Sequence, residues 1–155
     1  CRYNSKNEFN VPFGAYKTHY FPEDELRYFA HKAQSAVFIC ADFQQTFQMA
    51  DEDCVIYCDP PYAPISQNSN FTNYSGNEFS IAHQRDLANL AKDTIKQRNI
   101  QVVISNHDTP FTREIYQGAK IRRLKVQRSI SQASHKRIKV RELIAIFKAE
   151  KYAEK

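Results

Sequence analysis

The sequence predicts an α/β protein in which helices alternate with strands of a mostly parallel sheet. Three short apolar runs, at residues 36–40, 54–58 and 100–105, each follow a helix-like segment. Their apolar residues are continuous, as is typical of strands buried in a parallel sheet with helices on both faces. Two alternating segments, 120–127 and 139–148, predict a C-terminal β-hairpin added to the edge of that sheet.

The helices are predicted from capping residues and apolar spacing. Pro22 opens the first, with acidic residues in a first turn where the helix dipole favours them. Asp42 and Ser80 can cap the second and third helices, and Thr109-Pro110 begins a short fourth. The apolar residues that share one side of the first three helices are Leu26, Phe29, Ala30 and Ala33; Phe43, Phe47 and Met49; and Ile81, Leu87, Leu90, Ala91 and Ile95.

The net charge of +5 is concentrated in one part of the chain. Between Ile115 and Arg141 there is no acidic residue, whereas nine lysines and arginines fall there. A field of one sign attracts phosphate, so the segment is consistent with a nucleic-acid partner. The alternative is a solvated basic face without a partner.

The cysteine positions and the hydropathy indicate which compartment, metals and membrane contacts to expect. Cys40, Cys54 and Cys58 lie in apolar runs, which favours buried, reduced thiols in a cytosolic protein. Because no CxxC or HxxxH pair accompanies them, we expect no metal. No apolar run approaches the roughly 20 residues of a membrane span, so we expect no membrane partner.

The stretch CVIYCDPPYAPISQNSNF carries the clearest chemical signal. Asp59-Pro60-Pro61-Tyr62 follows a five-residue apolar strand, and the two prolines must end that strand and fix a turn. The Asp59 carboxylate and the Pro60 carbonyl then form a pair of acceptors for an amino group, and the Tyr62 ring can stack on a planar base. The pattern predicts a site for a heterocycle with an exocyclic amine, such as adenine. The alternative is a strand-end turn in which these residues have only turn roles.

Polar residues follow all three predicted strands. Asp42, Asp59 and the segment 106–108 each come directly after one of them. Ligands of such sheets bind beyond the carboxyl ends of the strands, so we expect these residues to form one crevice.

Several segments together resemble DNA adenine methylases of the Dam type. The resemblance is carried by CRYNSKNEFNVPFGAY, CDPPYAPIS, NFTNY, VVISNHDTPFTREIY and VQRSIS. It implies a partial Rossmann-like methyltransferase sheet, S-adenosylmethionine as cofactor and double-stranded DNA as partner. The implied product is N6-methyladenine within GATC.

The resemblance also implies roles for individual residues. Asp59, Pro60 and Tyr62 would be catalytic, acting on an adenine flipped out of the duplex. Asp59, Asp42 and Phe43 would border the cofactor, although Asp42 could be only a helix cap and Phe43 only a core residue. His107 is expected to have a structural hydrogen-bonding role.

DNA contacts are expected from three regions. Residues 1–21 would end a target-recognition region, and 22–155 would be the C-terminal part of the catalytic domain. The long polar loop after Ala63 would close over the base, with Ser66, Asn70 and Tyr74 as candidates, and the hairpin loop would lie on the backbone. The expected DNA-binding residues are Arg2, Asn4, Pro12, Tyr16, Lys17, Asn70, Arg128, Lys136 and Arg137.

The glycine-rich cofactor loop of the family has no counterpart in this sequence, where Gly14, Gly76 and Gly118 are isolated. We therefore expect a C-terminal fragment, which by itself binds S-adenosylmethionine poorly and does not turn over. Separately, we expect the chain to be a monomer. Three alternatives remain: a methyltransferase for another amine, a non-catalytic DNA-binding module, and an inactive remnant.

Overall fold

The computed structural model describes residues 3, 6–9, 20–65, 79–127 and 139–149. The chain divides into two compact units, Cys1–Cys40 and Ala41–Lys155. The first contains helix α1 (Glu23–Ala33). The second contains α2 (Phe43–Met49), β1 (Val55–Cys58), α3 (Ile81–Arg98), β2 (Gln101–His107), α4 (Pro110–Ile115), β3 (Lys120–Gln127) and β4 (Lys139–Phe147). This order confirms the α/β class.

The second unit is built on a four-stranded sheet in the order β1-β2-β4-β3. β1 and β2 are parallel, with Ile56 opposite Val102. β4 is antiparallel to both β2 and β3. The two C-terminal strands therefore form the predicted hairpin, and its second strand joins the sheet beside β2.

The buried core lies between the helices and one face of this sheet. Alternate residues in the middle of β2 and β4 are fully buried, namely Val102, Ile104, Leu143 and Ala145. These side chains pack with residues of α2, α3 and α4. On β1, Ile56 and Cys58 contact the core, whereas Val55 and Tyr57 are exposed.

The helix ends follow the predicted capping chemistry. Asp42, Ser80 and Thr109 each accept a hydrogen bond from a backbone N–H of the following helix, in capping boxes. The C-terminus of α2 is capped by a side chain of α3. The Arg98 guanidinium donates to the carbonyl oxygens of Phe47 and Ala50. These bonds satisfy carbonyls that an α-helix leaves unpaired at its end.

The predicted strand at residues 36–40 is wrong. No strand forms there, and Val37 and Phe38 are 86% and 74% exposed. An apolar run becomes a strand only when a neighbour pairs its backbone and a layer covers its side chains. Neither is found for this run within the described residues.

Helix α1 forms as predicted, but its apolar side is not buried. Leu26 and Phe29 are 47% and 60% exposed, and no residue of α1 is buried. The helix is held locally by an exposed Arg27–Glu23 ion pair and by the Tyr20 hydroxyl, which donates to Glu25. Such i,i+4 pairs contribute only a few tenths of a kcal/mol, about 0.3–0.5.

The expected burial of the cysteines holds only in part. Cys40 and Cys54 are exposed, and Cys58 is partly buried. Cys40 lies in the run that is not a strand, and Cys54 precedes β1 at the edge of the sheet. All three are free thiols, and burial raises the pKa of Cys58 to about 11. In the part of the chain that the structure describes, no helix combines the length and apolar character that crossing a bilayer requires.

Candidate functional site

Asp59 lies at the carboxyl end of β1 with its side chain exposed. The Ser105 hydroxyl, on neighbouring β2, donates to Asp59 Oδ1 at 2.7 Å. The Tyr57 hydroxyl in turn donates to Ser105 Oγ at 3.2 Å. Among the described residues no basic side chain forms an ion pair with this carboxylate. Asp59 is thus held through one oxygen while it faces solvent.

The two prolines differ in the environment of their carbonyl groups. Pro61 O accepts a hydrogen bond of 2.6 Å from the side-chain amide of Gln84, on α3. Pro60 is buried, and no hydrogen bond to its carbonyl oxygen is found from the described residues. The Pro60 carbonyl was the predicted acceptor beside Asp59. Unlike the Pro61 carbonyl, it has no described hydrogen-bond partner.

Tyr62 is half-buried next to His107, the last residue of β2. The two rings meet edge to face, with centroids 5.0 Å apart and an interplanar angle of 83°. Burial is the main cause of a raised pKa for Tyr62, so its hydroxyl is neutral at pH 7. His107 Nδ1 lies 2.7 Å from the Ala63 carbonyl oxygen.

Asn106 connects the Asp59 loop to the helix layer. Its Oδ1 accepts from the backbone N–H groups of Ala63, at 2.8 Å, and His107, at 2.9 Å. Its Nδ2 donates to Gln84 Oε1 and to the Tyr116 hydroxyl, both at 3.0 Å. Asn106, Gln84 and Tyr116 are each 0% exposed, and burial raises the pKa of Tyr116 to about 12. All four hydrogen-bonding positions of the Asn106 amide are used.

A cavity of about 460 Å³ lies along the outer edge of β1. Phe43, Phe79, Pro60 and Asp59 are among its lining residues. The Phe43 and Phe79 rings meet edge to face at 5.9 Å. The volume of this cavity and its aromatic lining are typical of sites that bind small molecules.

Of the predicted cofactor residues, Asp59 and Phe43 line this cavity and Asp42 does not. Asp42 caps α2, where Oδ1 accepts from Gln44 N at 2.9 Å. Asp42 therefore has the helix-capping role that was considered as the alternative. Its role beside the cofactor stays a prediction. Phe43 both lines the cavity and packs against the core.

Asp108 is not an open group of the expected crevice. Its side chain is 1% exposed and forms ion pairs with Arg113, at 2.6 Å, and Arg123, at 3.6 Å. The Asp108 carboxylate is the main cause of a raised pKa for Arg113. Asp108 therefore connects β2 to α4 and β3.

All the predicted DNA-binding residues lie outside the described residues. They are Arg2, Asn4, Pro12, Tyr16, Lys17, Asn70, Arg128, Lys136 and Arg137. Ser66 and Tyr74 lie outside them as well. Near the N-terminus, a bridge between Tyr3 and Phe9 closes a turn in which Asn7 has a φ of 61°, a conformation that asparagine tolerates.

Sequence reasoning missed Gln84 and Tyr116 as parts of the site. Gln84 lies between His83 and Arg85 on α3, where a glutamine that will be buried has no distinguishing motif. No group of three potential metal ligands occurs within the described ranges.

Comparison with known proteins places this geometry in a family. Residues 1–130 match the profile of the D12 class N6 adenine-specific DNA methyltransferases. The chain is 74% identical over 151 residues to the DNA adenine methylase of Haemophilus influenzae, which covers 97% of this chain and 53% of that protein. The corresponding protein of Vibrio cholerae serotype O1 is 56% identical over 147 residues (95% and 53%). That of Escherichia coli K12 is 53% identical over 148 residues (96% and 53%).

The chain spans about half the length of the curated relatives it matches. The matched part includes Asp59-Pro60-Pro61-Tyr62, the core strands β1 and β2 and the amide network around Asn106. The chain belongs to the D12 class N6 adenine-specific DNA methyltransferase family.

Proposed function

We propose that this chain acts in methyl transfer from S-adenosylmethionine to the N6 amine of adenine in double-stranded DNA, within GATC sites. The observation that carries the proposal is the pair of acceptors at the end of β1. Asp59 is exposed and held by Ser105, and Pro60 O has no described partner. The GATC site is an expectation from family resemblance.

The pair of acceptors suits the chemistry of an aromatic amine. The lone pair of the adenine amine is delocalised into the ring, which makes the nitrogen a poor nucleophile. If Asp59 Oδ2 and Pro60 O each accept one of its hydrogens, the nitrogen becomes more tetrahedral and its lone pair is available for attack. Ser105 holds the carboxylate before the substrate arrives, so little reorganisation is needed during the reaction.

Tyr62 is the proposed stacking surface for the base. Its ring is half-buried and meets the His107 ring in an edge-to-face contact. An adenine inside a duplex cannot reach these groups, so the base must leave the helix first. Stacking on an aromatic ring is worth about 1–3 kcal/mol per base, which offsets part of the cost of unstacking.

The cavity along β1 fits an adenosyl group. Phe43 and Phe79 offer aromatic contacts, and Asp59 supplies an acceptor at the rim. When bound there, S-adenosylmethionine would supply an electrophilic methyl group close to the amine. Asp42 supports this site by capping α2 and so fixing the position of Phe43.

Double-stranded DNA is the proposed partner. In addition to the predicted residues outside the described part, β3 carries exposed basic side chains at Lys120, Arg122 and Lys125. Contacts of this kind bind phosphate without reading sequence, and their strength falls as salt rises.

The test uses a graft, because the chain spans about half of its relatives. This chain replaces the 151 residues that it matches in the Haemophilus influenzae protein, and labelled methyl transfer to a GATC duplex is measured. Asp59→Ala should lower kcat at least ~100-fold, since it removes one half of the acceptor pair. DNA affinity and its salt dependence should not change.

Asp86→Ala is the matched control, because Asp86 is exposed on α3, and it should retain activity. Equal rates for the two variants would refute the catalytic role of Asp59 and favour a DNA-binding module. Methylation of a different amine, found by product analysis, would refute the substrate. The isolated chain, assayed in parallel, is expected not to turn over.

A further inference from the structure

Three buried side chains hold the backbone that follows Asp59 and Pro60. Gln84 donates to the carbonyl of Pro61, Asn106 accepts from the N–H of Ala63, and His107 bonds the carbonyl of Ala63. The three distances are 2.6, 2.8 and 2.7 Å. All three side chains are at most 7% exposed.

The direction of each hydrogen bond is fixed by the backbone group concerned. Ala63 N–H can only donate, so Asn106 must present its oxygen. Pro61 O can only accept, so Gln84 must present its nitrogen, which turns its oxygen to Asn106 Nδ2. Ala63 O can also only accept, so His107 carries its proton on Nδ1. The network therefore has one consistent arrangement.

The contacts that hold this loop come from both faces of the sheet. Successive residues of a strand point to opposite faces, so Asn106 meets Gln84 on the helix side of β2. His107 contacts Tyr62 and Ala63 from the other side. A loop held from both faces cannot shift toward either one without breaking a buried hydrogen bond.

We propose that Gln84, Asn106 and His107 are positioning residues that fix the Pro60 carbonyl and the Tyr62 ring relative to the Asp59 carboxylate. Gln84 is the key member, because its side chain bonds both the loop, at Pro61 O, and the Asn106 side chain. The proposal rests on the proposed function, since its purpose is the alignment of acceptors with an adenine amine. The three residues do not touch the substrate; they act through the loop.

The first experiment needs no substrate and no variant. In the 155-residue chain labelled with ¹⁵N, the side-chain amide protons of Gln84 should exchange with solvent at least ~100-fold more slowly than those of Gln97. Gln97 lies on the same helix but is exposed, so it is an internal control. Equal exchange of the two amides would overturn the proposal, whether or not the chain has activity.

The second experiment separates positioning from folding. Gln84→Met keeps the length of the side chain but cannot bond Pro61 or Asn106, and Gln97→Met is its control. In the graft, Gln84→Met should lower kcat by ~10- to ~100-fold, the range expected when reacting groups are misplaced by about 1 Å. The KM for the duplex should stay nearly unchanged, because most of the affinity for DNA is expected from phosphate contacts outside this loop.

The outcomes distinguish the two proposals. Loss of kcat in Gln84→Met with an unchanged KM and a folded circular dichroism spectrum supports positioning. Equal kcat in Gln84→Met and Gln97→Met overturns it even when Asp59→Ala is inactive. If the unsubstituted graft transfers no methyl group, the proposed function fails, and the exchange experiment still decides whether Gln84 holds the loop. If Gln84→Met does not fold, the exchange experiment again decides.

Discussion

Replacing Asn106 by leucine should be among the most destabilising single changes in the second unit. Leucine has a similar size and shape, so it creates no large cavity, but it removes all four hydrogen bonds of the amide. The Ala63 N–H, the Gln84 Oε1 atom and the Tyr116 hydroxyl then lose their described partner in a region that is at most 1% exposed. The change therefore measures the cost of unpaired buried polar groups rather than of lost packing.

The magnitude follows from the number of groups left unpaired. Each buried donor or acceptor without a partner costs about 1–3 kcal/mol, so three such groups give a loss of about 6 kcal/mol in the free energy of unfolding. This is a large part of the roughly 5–15 kcal/mol that stabilises a domain. Asn89→Leu, at an exposed position of α3, should change the free energy by no more than about 0.5 kcal/mol.

Urea unfolding followed by circular dichroism measures the difference. With a slope of about 1–3 kcal/mol per molar urea, a loss of that size moves the midpoint by about 3 M. A midpoint for Asn106→Leu that matches the Asn89→Leu control would refute the reasoning. It would mean that the Asn106 amide does not hold the loop, and that water or other groups satisfy Ala63 and Gln84.

Two further experiments, one substitution and one labelling reaction, test the groups around Asp59. Ser105→Ala removes the hydroxyl that donates to Asp59 Oδ1, so kcat of the graft should fall ~10-fold with an unchanged DNA affinity; an unchanged kcat would show that the carboxylate needs no such support. Because burial raises the pKa of Cys58 to about 11, its thiolate fraction at pH 8 should be roughly a hundred-fold below that of an ordinary thiol. Iodoacetamide labelling read by mass spectrometry should therefore modify exposed Cys54 well before Cys58, and equal rates at pH 8 would contradict the burial of Cys58.

Features that depend on a few neighbouring residues could be predicted from the sequence. The caps at Asp42, Ser80 and Thr109 were predictable because a side chain bonds a backbone group only two or three residues away. The turn after β1 was predictable because Pro60 and Pro61 cannot continue a strand. The position of Asp59 at a strand end, and the hairpin of β3 and β4, follow from the same local chemistry and from the period of the strand.

Features that depend on distant residues were not predictable. Residues 36–40 have the composition of a buried strand, yet they remain exposed because no described neighbour pairs with them. Asp108 was placed in the crevice, whereas Arg113 and Arg123 bind it instead. In both cases the outcome depends on partners distant in the chain, which the sequence alone does not specify.

The sequence by itself determined the chemical groups of the site: a carboxylate, a proline carbonyl and an aromatic ring at the end of a strand. Only the tertiary structure decided what holds them. Gln84 and Asn106 are 22 residues apart, and Asn106 and His107 reach Ala63 across 43 and 44 residues. Such contacts arise because the parallel pairing of β1 and β2 and the packing of α3 bring buried polar groups together, and each buried group must then find a partner.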